Sequence, residues 1–301
     1  MTPLSRQISA LSANEMVAAL GVRGAPALVH KGLALPFYAA SRTLGRTLAE
    51  LDDAILRQGL PAAAAQALQR FGVALQTTGV GLGDGPRLVL ANHPGAYDAL
   101  SLMSALKRGD LRILAADRSF LRALPGLSSH LLFVAEHAGE RAGALKRAVR
   151  HLRGGGALLH FPAGQIEPDA DFEPATAALL KAWLPGVTAL VAACARVDGR
   201  VLVAGVRGVH SPRAKRWLLN RLAERRGITT LSPLLQMVAG LRDVTTRVHC
   251  LDADSARALS ELAPAEQQAR LRATLERAIR GSPMRAKPAS NSLRAATSWR
   301  G

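Results

Sequence analysis

Acidic residues are scarce in this chain. Its 301 residues carry 39 Lys and Arg against 22 Asp and Glu, a formal charge of +17. Such a surplus attracts anions, whether nucleic acid, lipid headgroups or phosphorylated carriers, and charge alone does not choose among them. Aromatics are scarcer still, with 6 Phe, 3 Trp and 2 Tyr. That leaves few platforms on which single-stranded nucleic acid could stack. The basic stretch Arg213-Ala214-Lys215-Arg216, with Arg221, Arg225 and Arg226 after it, keeps a nucleic-acid-binding protein as the rival reading, and no nucleic-acid partner is expected.

The 2 cysteines, Cys194 and Cys250, each lie in an apolar, strand-like run. Two such residues make no disulfide scaffold and fit a reducing compartment. The first residues, Met-Thr-Pro-Leu-Ser-Arg-Gln, lack the apolar core of a signal peptide. No uninterrupted apolar run approaches the roughly 20 residues that span a bilayer. The best attempt, 25–40, is broken by His30, Lys31 and Pro36. The expectation is a cytoplasmic protein, free or peripheral to the inner face of a membrane. Gly-x-Ser-x-Gly and Gly-Lys-Ser are missing, so hydrolase and P-loop chemistry lack their core residues. Gly79, Gly81, Gly83 and Gly85 precede a strand, whereas a dinucleotide fingerprint follows one, so they are taken as a loop. His130, His137, His151 and His160 show no metal-type spacing, and no metal is expected.

What is present is a change of pattern near residue 76. Residues 1–75 carry helical periodicity, clearest at Leu44, Leu48, Leu51 and Ile55. Before it, the apolar stretch Val29 to Tyr38 lies among Arg23, Lys31, Arg42 and Arg46. A basic amphipathic segment of this kind either caps a core or sits on an anionic membrane surface. From 76 to 281 strands and helices alternate. Strands are expected at 87–92, 111–117, 130–136, 157–162, 189–197, 201–208 and 245–251. The clearest helices are 141–152, ended by Gly154-Gly155-Gly156, and 265–280, ended by Gly281 and Pro283. This alternation predicts an α/β fold with a mostly parallel central sheet flanked by helices, preceded by the N-terminal helical region. Residues 282–301 are polar and basic, the composition of a disordered tail.

Chemistry concentrates at two strand ends. The first reads Leu88-Val89-Leu90-Ala91-Asn92-His93-Pro94-Gly95-Ala96-Tyr97-Asp98. Across a strand-to-helix turn, Asp98 can fold back on His93, hold one ring nitrogen as a donor and leave the other as a base. The second reads Ala157-Leu158-Leu159-His160-Phe161-Pro162-Ala163-Gly164-Gln165-Ile166-Glu167. In a parallel sheet both turns emerge at the carboxyl edge, where ligands bind. Gly164 permits the close backbone approach that an oxyanion or phosphate needs.

The Asn92-His93-x4-Asp98 block, the Phe161-Pro162-x-Gly164 block and their separation resemble the glycerophospholipid acyltransferases, of the lysophosphatidic acid acyltransferase type. Val201 to Gly208 sits where that family has its fourth, apolar block. The resemblance spans about residues 85–215. It implies that His93 is the general base for an acceptor hydroxyl, that Asp98 orients it, and that Asn92, Phe161, Pro162, Gly164 and Gln165 line the substrate site. It implies an acyl thioester donor, acyl-CoA or acyl-carrier protein, as co-substrate, a lipid acceptor, and no other cofactor. The pattern also departs from the family. The third block usually reads Phe-Pro-Glu-Gly-Thr-Arg, and here Ala163, Gln165 and Ile166 replace its Glu, Thr and Arg. The arginine that ends the second block is missing from Phe133-Val134-Ala135-Glu136-His137. Two cations for an acceptor phosphate are thus absent or displaced, and Glu136, Glu167 and Asp169 add negative charge. Arg118, Arg141 or Lys146 would have to supply the charge, and Arg207 would meet donor or lipid phosphates. The expected acceptor is therefore a lipid hydroxyl or amine without a phosphomonoester. An eroded third block also leaves room for an inactive acyltransferase fold that only binds lipid.

Overall fold

The computed structural model describes residues 2–19, 27–95, 97–134, 138–172, 180–217, 236 and 243–281, with only the backbone of 12–19, 27–40 and 138–140. Three helices open the chain: α1 (Pro3–Ala19), α2 (Ala27–Gln58) and α3 (Leu60–Phe71). In α3 the buried residues Leu60, Ala63, Ala64, Ala67, Leu68 and Phe71 recur at three- and four-residue spacing, which lines them on one face. The stripe expected in α2 is also inward, with Leu48, Leu51 and Ile55 buried and Leu44 packed beside them. This face is continuous with the core of the sheet, so the C-terminal half of α2 caps the domain. The stretch Val29 to Tyr38, Lys31 and Arg23 lie outside the residues whose side chains are described.

The sheet has seven strands: β1 (Ala74–Gly79), β2 (Arg87–Ala91), β3 (Arg112–Ala116), β4 (Leu131–Val134), β5 (Ala157–His160), β6 (Arg200–Arg207) and β7 (Thr245–Ser255). Their order is β1-β7-β6-β2-β5-β3-β4, and every pair is parallel except β6–β7. The mostly parallel α/β architecture read from the sequence is thus present. Leu88, Val89 and Leu90 of the central strand β2 are all fully buried, the mark of a parallel strand covered on both faces. Each contributes about 1.5–3 kcal/mol relative to an exposed position.

The two faces carry separate cores. Val89, Ala91, Leu159 and Phe161 pack with α1–α3 and α4 (Asp98–Ala105). Two short helices, α5 (Ser119–Arg122) and α6 (Pro125–Ser128), join β3 to β4 on that side, with Leu124 and Leu127 in the same core. Leu88, Leu90, Leu158, Val201 and Val203 face the other way. They pack with α7 (Ala138–Arg153), α8 (Gly186–Ala195), α10 (Ala256–Ser260) and α11 (Pro264–Arg280), the last two following α9 (Pro212–Arg216) and β7.

Two sequence expectations fail. Residues 189–197, taken as a strand, belong to helix α8 and the turn that follows it. A short continuous apolar run does not separate a buried strand from a buried helix by composition. The buried set Val187, Leu190, Val191 and Cys194 has helical spacing and carried the answer. Conversely β1 was not expected, because it is an edge strand with mostly exposed residues and no apolar alternation. It also pulls the sheet's start to Ala74, inside the region expected to be helical. The tail at 282–301 lies outside the described residues. Among the described residues no helix is long and apolar enough to cross a membrane.

Candidate active site

β2 and β5 are neighbours in the sheet and run parallel, with Leu90 opposite His160. The turns that follow them therefore leave the same edge side by side. After β2 the chain passes through Gly95 at φ +90°, a left-handed conformation that favours glycine. It re-enters helix at Asp98, the first residue of α4. There the backbone N–H groups of the helix start favour an anion. Asp98 is 1% exposed. Its Oδ2 accepts from the Gly95 N–H at 2.7 Å and lies 2.7 Å from Nδ1 of His93, while Oδ1 accepts from the Ala99 N–H. A carboxylate facing Nδ1 assigns the ring proton to that nitrogen and leaves Nε2 as the basic lone pair. No hydrogen bond among the described residues engages Nε2, and 29% of the side chain is open to solvent.

After β5 the Phe161–Gly164 turn is closed by the Gly164 N–H donating to the Phe161 carbonyl at 3.0 Å, with Gly164 at φ +64°. The Phe161 ring lies against His93 with centroids 4.5 Å apart. A side chain at Gly95 would meet Ile166 at 3.2 Å, so the two turns touch. Ile166 and Leu184 stand exposed beside them, and the Leu184 N–H donates to the Pro162 carbonyl at 2.9 Å.

Glu167 ties the two turns together. It is 4% exposed, and its Oε2 accepts from the His93 N–H at 2.9 Å. Its own N–H returns to the His93 carbonyl at 2.8 Å, and Oε1 accepts from the Lys181 N–H at 3.0 Å. Burial raises the Glu167 pKa, partly offset by those two backbone donors and by the nearby His93 and Arg272. On His93, burial works against the charged ring. The Asp98 charge and hydrogen bond, with the Glu167 charge behind them, outweigh burial and hold the imidazole above its usual pKa. Such a ring is a stronger base than a free histidine.

The structure sorts the other expected residues. Asn92 is buried, donating to the Val206 carbonyl at 2.8 Å and accepting from the Val206 N–H at 2.7 Å. It staples the end of β2 to β6. Gln165 is exposed, and its Oε1 accepts from Nζ of Lys181 at 3.3 Å. The Gly164 N–H is engaged in its own turn, which withdraws it from the role of oxyanion donor. Arg118, Arg141 and Arg207 are not gathered around His93. Arg118 is exposed at the start of α5. Arg141 is exposed on α7 and lines a cavity with His160 and Leu184. Arg207 and Arg247 flank Asp171 at 3.7 and 2.6 Å. Glu136 and His137 lie outside the described residues.

Two carboxylates change meaning. Glu167 and Asp169, expected to repel an acceptor phosphate, are both buried and engaged with backbone N–H groups. Asp169 accepts from Gly208 and Val209 at 2.8 Å each and fixes the loop after β6. Sequence reasoning missed the clamp by Glu167 and the cation supplied by Lys181. The spacing of Glu167, four residues past the position where the family has its glutamate, was the only signal for the first. Nothing marked Lys181. Among the described residues no cluster of three or more His, Cys, Asp or Glu is placed to hold a metal.

Comparison with known proteins gives a family match and matches to solved structures. Residues 66–202 match the family model described as Acyltransferase. The fold is similar to the crystal structure of the 1-acyl-sn-glycerophosphate (LPA) acyltransferase PlsC from Thermotoga maritima, with a TM-score of 0.48 and 14% identity over 92% of this chain and 99% of that one. No curated protein sequence matches the chain.

Proposed function

We propose that the protein moves a fatty acyl group from an acyl thioester to a lipid-type hydroxyl or amine with His93 as general base, a reading supported by the match of residues 66–202 to the Acyltransferase family model. The observation that carries this reading is the pairing of His93 Nδ1 with the buried Asp98 at 2.7 Å, which leaves Nε2 without a hydrogen bond among the described residues on a ring partly open to solvent. In the step envisaged, Nε2 takes the proton of the acceptor as its oxygen or nitrogen attacks the thioester carbonyl carbon. The C–S bond then breaks, and the imidazolium returns the proton to the leaving thiolate. Phe161 and the Glu167 clamp hold the ring in place. The exposed apolar side chains of Ile166 and Leu184 offer the hydrocarbon of the substrates a first contact.

Charge supports an acceptor without a phosphomonoester. Among the described residues Lys181 reaches the third-block turn with a side-chain hydrogen bond, while the nearby Arg272 is committed to the Lys181 and Leu180 carbonyls. A doubly charged phosphate calls for more than one such group or a bidentate arginine. The test is transfer of labelled acyl groups from acyl-CoA and acyl-carrier protein to a panel of acceptors, with His93→Ala as control. The expected result is His93-dependent transfer to hydroxyl or amino lipids over lysophosphatidic acid. A strong preference for lysophosphatidic acid overturns the acceptor assignment. Transfer that survives His93→Ala, or no transfer to any acceptor, overturns the mechanism.

A further inference from the structure

Helix α7 carries five cations within thirteen residues: Arg141, Lys146, Arg147, Arg150 and Arg153. Arg147 donates to the Phe133 carbonyl at 3.2 Å. The other four are exposed, and among the described residues none forms an ion pair. Lys146, Arg150 and Arg153 follow at intervals of four and three, so they lie on one face. They border a groove of about 510 Å³ whose floor is Ala142, Leu145 and Val149. Ala142 and Leu145 also line a second cavity of about 260 Å³, which holds His160 and Leu184. Leu184 is bonded to Pro162 and reaches Gly164, so the groove runs out at the catalytic turn.

The shape of this charge narrows the ligand. From Lys146 to Arg153 is about 10 Å along a helix. One phosphate meets one or two of these groups, whereas the full row matches acidic side chains spaced along a protein surface. Among the described residues no aromatic side chain lines the groove, which disfavours stacked bases. It also lies on the face of the sheet opposite to α1–α3.

We propose that α7 is the docking surface for a small acidic acyl-carrier protein, which presents its phosphopantetheine-linked thioester along the groove to the cavity at Leu184. This rests on the acyl-transfer reading and names its donor. The test compares acyl-carrier protein with acyl-CoA in the wild type and in the triple variant Lys146→Gln, Arg150→Gln, Arg153→Gln. With the carrier protein, kcat/KM falls by about tenfold or more and the wild-type rate drops as salt rises. With acyl-CoA it stays within about twofold. The single Arg153→Gln variant gives the same direction should the triple variant lose its fold. Equal losses with both donors overturn the proposal, because the cations then serve a phosphate common to both. Unchanged rates, or a wild type active with acyl-CoA alone, also overturn it while leaving the acyl-transfer reading intact. Transfer from neither donor removes that reading, and this proposal with it.

Discussion

Asp98→Asn separates the role of the carboxylate's charge from its shape. The side chain is 1% exposed and receives N–H groups from Gly95 and Ala99 besides facing His93 Nδ1. Asparagine fills the same space; with its NH₂ toward the ring its oxygen keeps the Ala99 N–H, and the Gly95 N–H, which shares Oδ2 with His93, loses its acceptor. Two things are lost at the ring. The first is the charge-assisted hydrogen bond, worth about 1.5–3 kcal/mol, or about 10- to 150-fold in rate if it acts fully in the transition state. The second is the tautomer. An amide NH₂ turned toward the ring favours the proton on Nε2, which removes the base. In a serine protease triad the same change costs about 10⁴ in kcat. The expected fall for this protein is therefore on the order of 10³–10⁴ in kcat, with KM for the donor little changed. The assay is steady-state acyl transfer, with thermal melting as the fold control. A variant that melts near the wild-type temperature and keeps more than about a tenth of the activity refutes the reasoning, since neither the charge nor the tautomer would then matter.

The pH profile follows from the same pair. His93 titrates above its ordinary 6.5, so log kcat/KM climbs through and above that pH and levels off where the ring is neutral. In Glu167→Gln the rise moves to lower pH, because one of the charges that favour the protonated ring is gone. A profile that stays in place assigns Glu167 to structure alone. The sign for stability is also fixed: the raised His93 pKa adds stability below 6.5 that is lost as pH rises through the folded value, measurable as a melting temperature that falls over that window. Asn92→Leu leaves Val206 N–H and C=O unpaired inside the sheet, and chemical denaturation should show a loss of about 1–3 kcal/mol per orphaned group. Gly164→Ala forces an alanine to φ +64° with its Cβ 2.8 Å from Leu184. It should cost about 1 kcal/mol of stability and reduce transfer more than donor binding, while wild-type kinetics would show that the turn tolerates a side chain.

The sequence and the structure agree where period and chemistry coincide. β2 and β5 were legible as apolar runs, α7 and α11 as periodic helices, and the His93–Asp98 pair as a base with its neighbour five residues on. Helix α8 was misread because a run that is apolar on every side offers composition without contrast. Strand β1 was invisible because an exposed edge strand has no buried face to write into the sequence. The site residues divide the same way. His93, Asp98 and Phe161 meet through turns that Pro94, Gly95 and Gly164 announce. Glu167 and Lys181 reach the site through a buried carboxylate bonded to backbone, and no side-chain pattern encodes a backbone partner 74 residues away. Asn92, placed at the substrate site by the motif it shares with the family, bonds both backbone groups of Val206 across the sheet, a partner 114 residues away.

The most direct measurement is single-turnover transfer from a labelled acyl thioester by His93→Gln, with donor binding measured separately. The account predicts binding close to the wild type and a chemical step slower by about 10²–10⁴-fold. Transfer within a few fold of the wild type, with the donor bound, would contradict it.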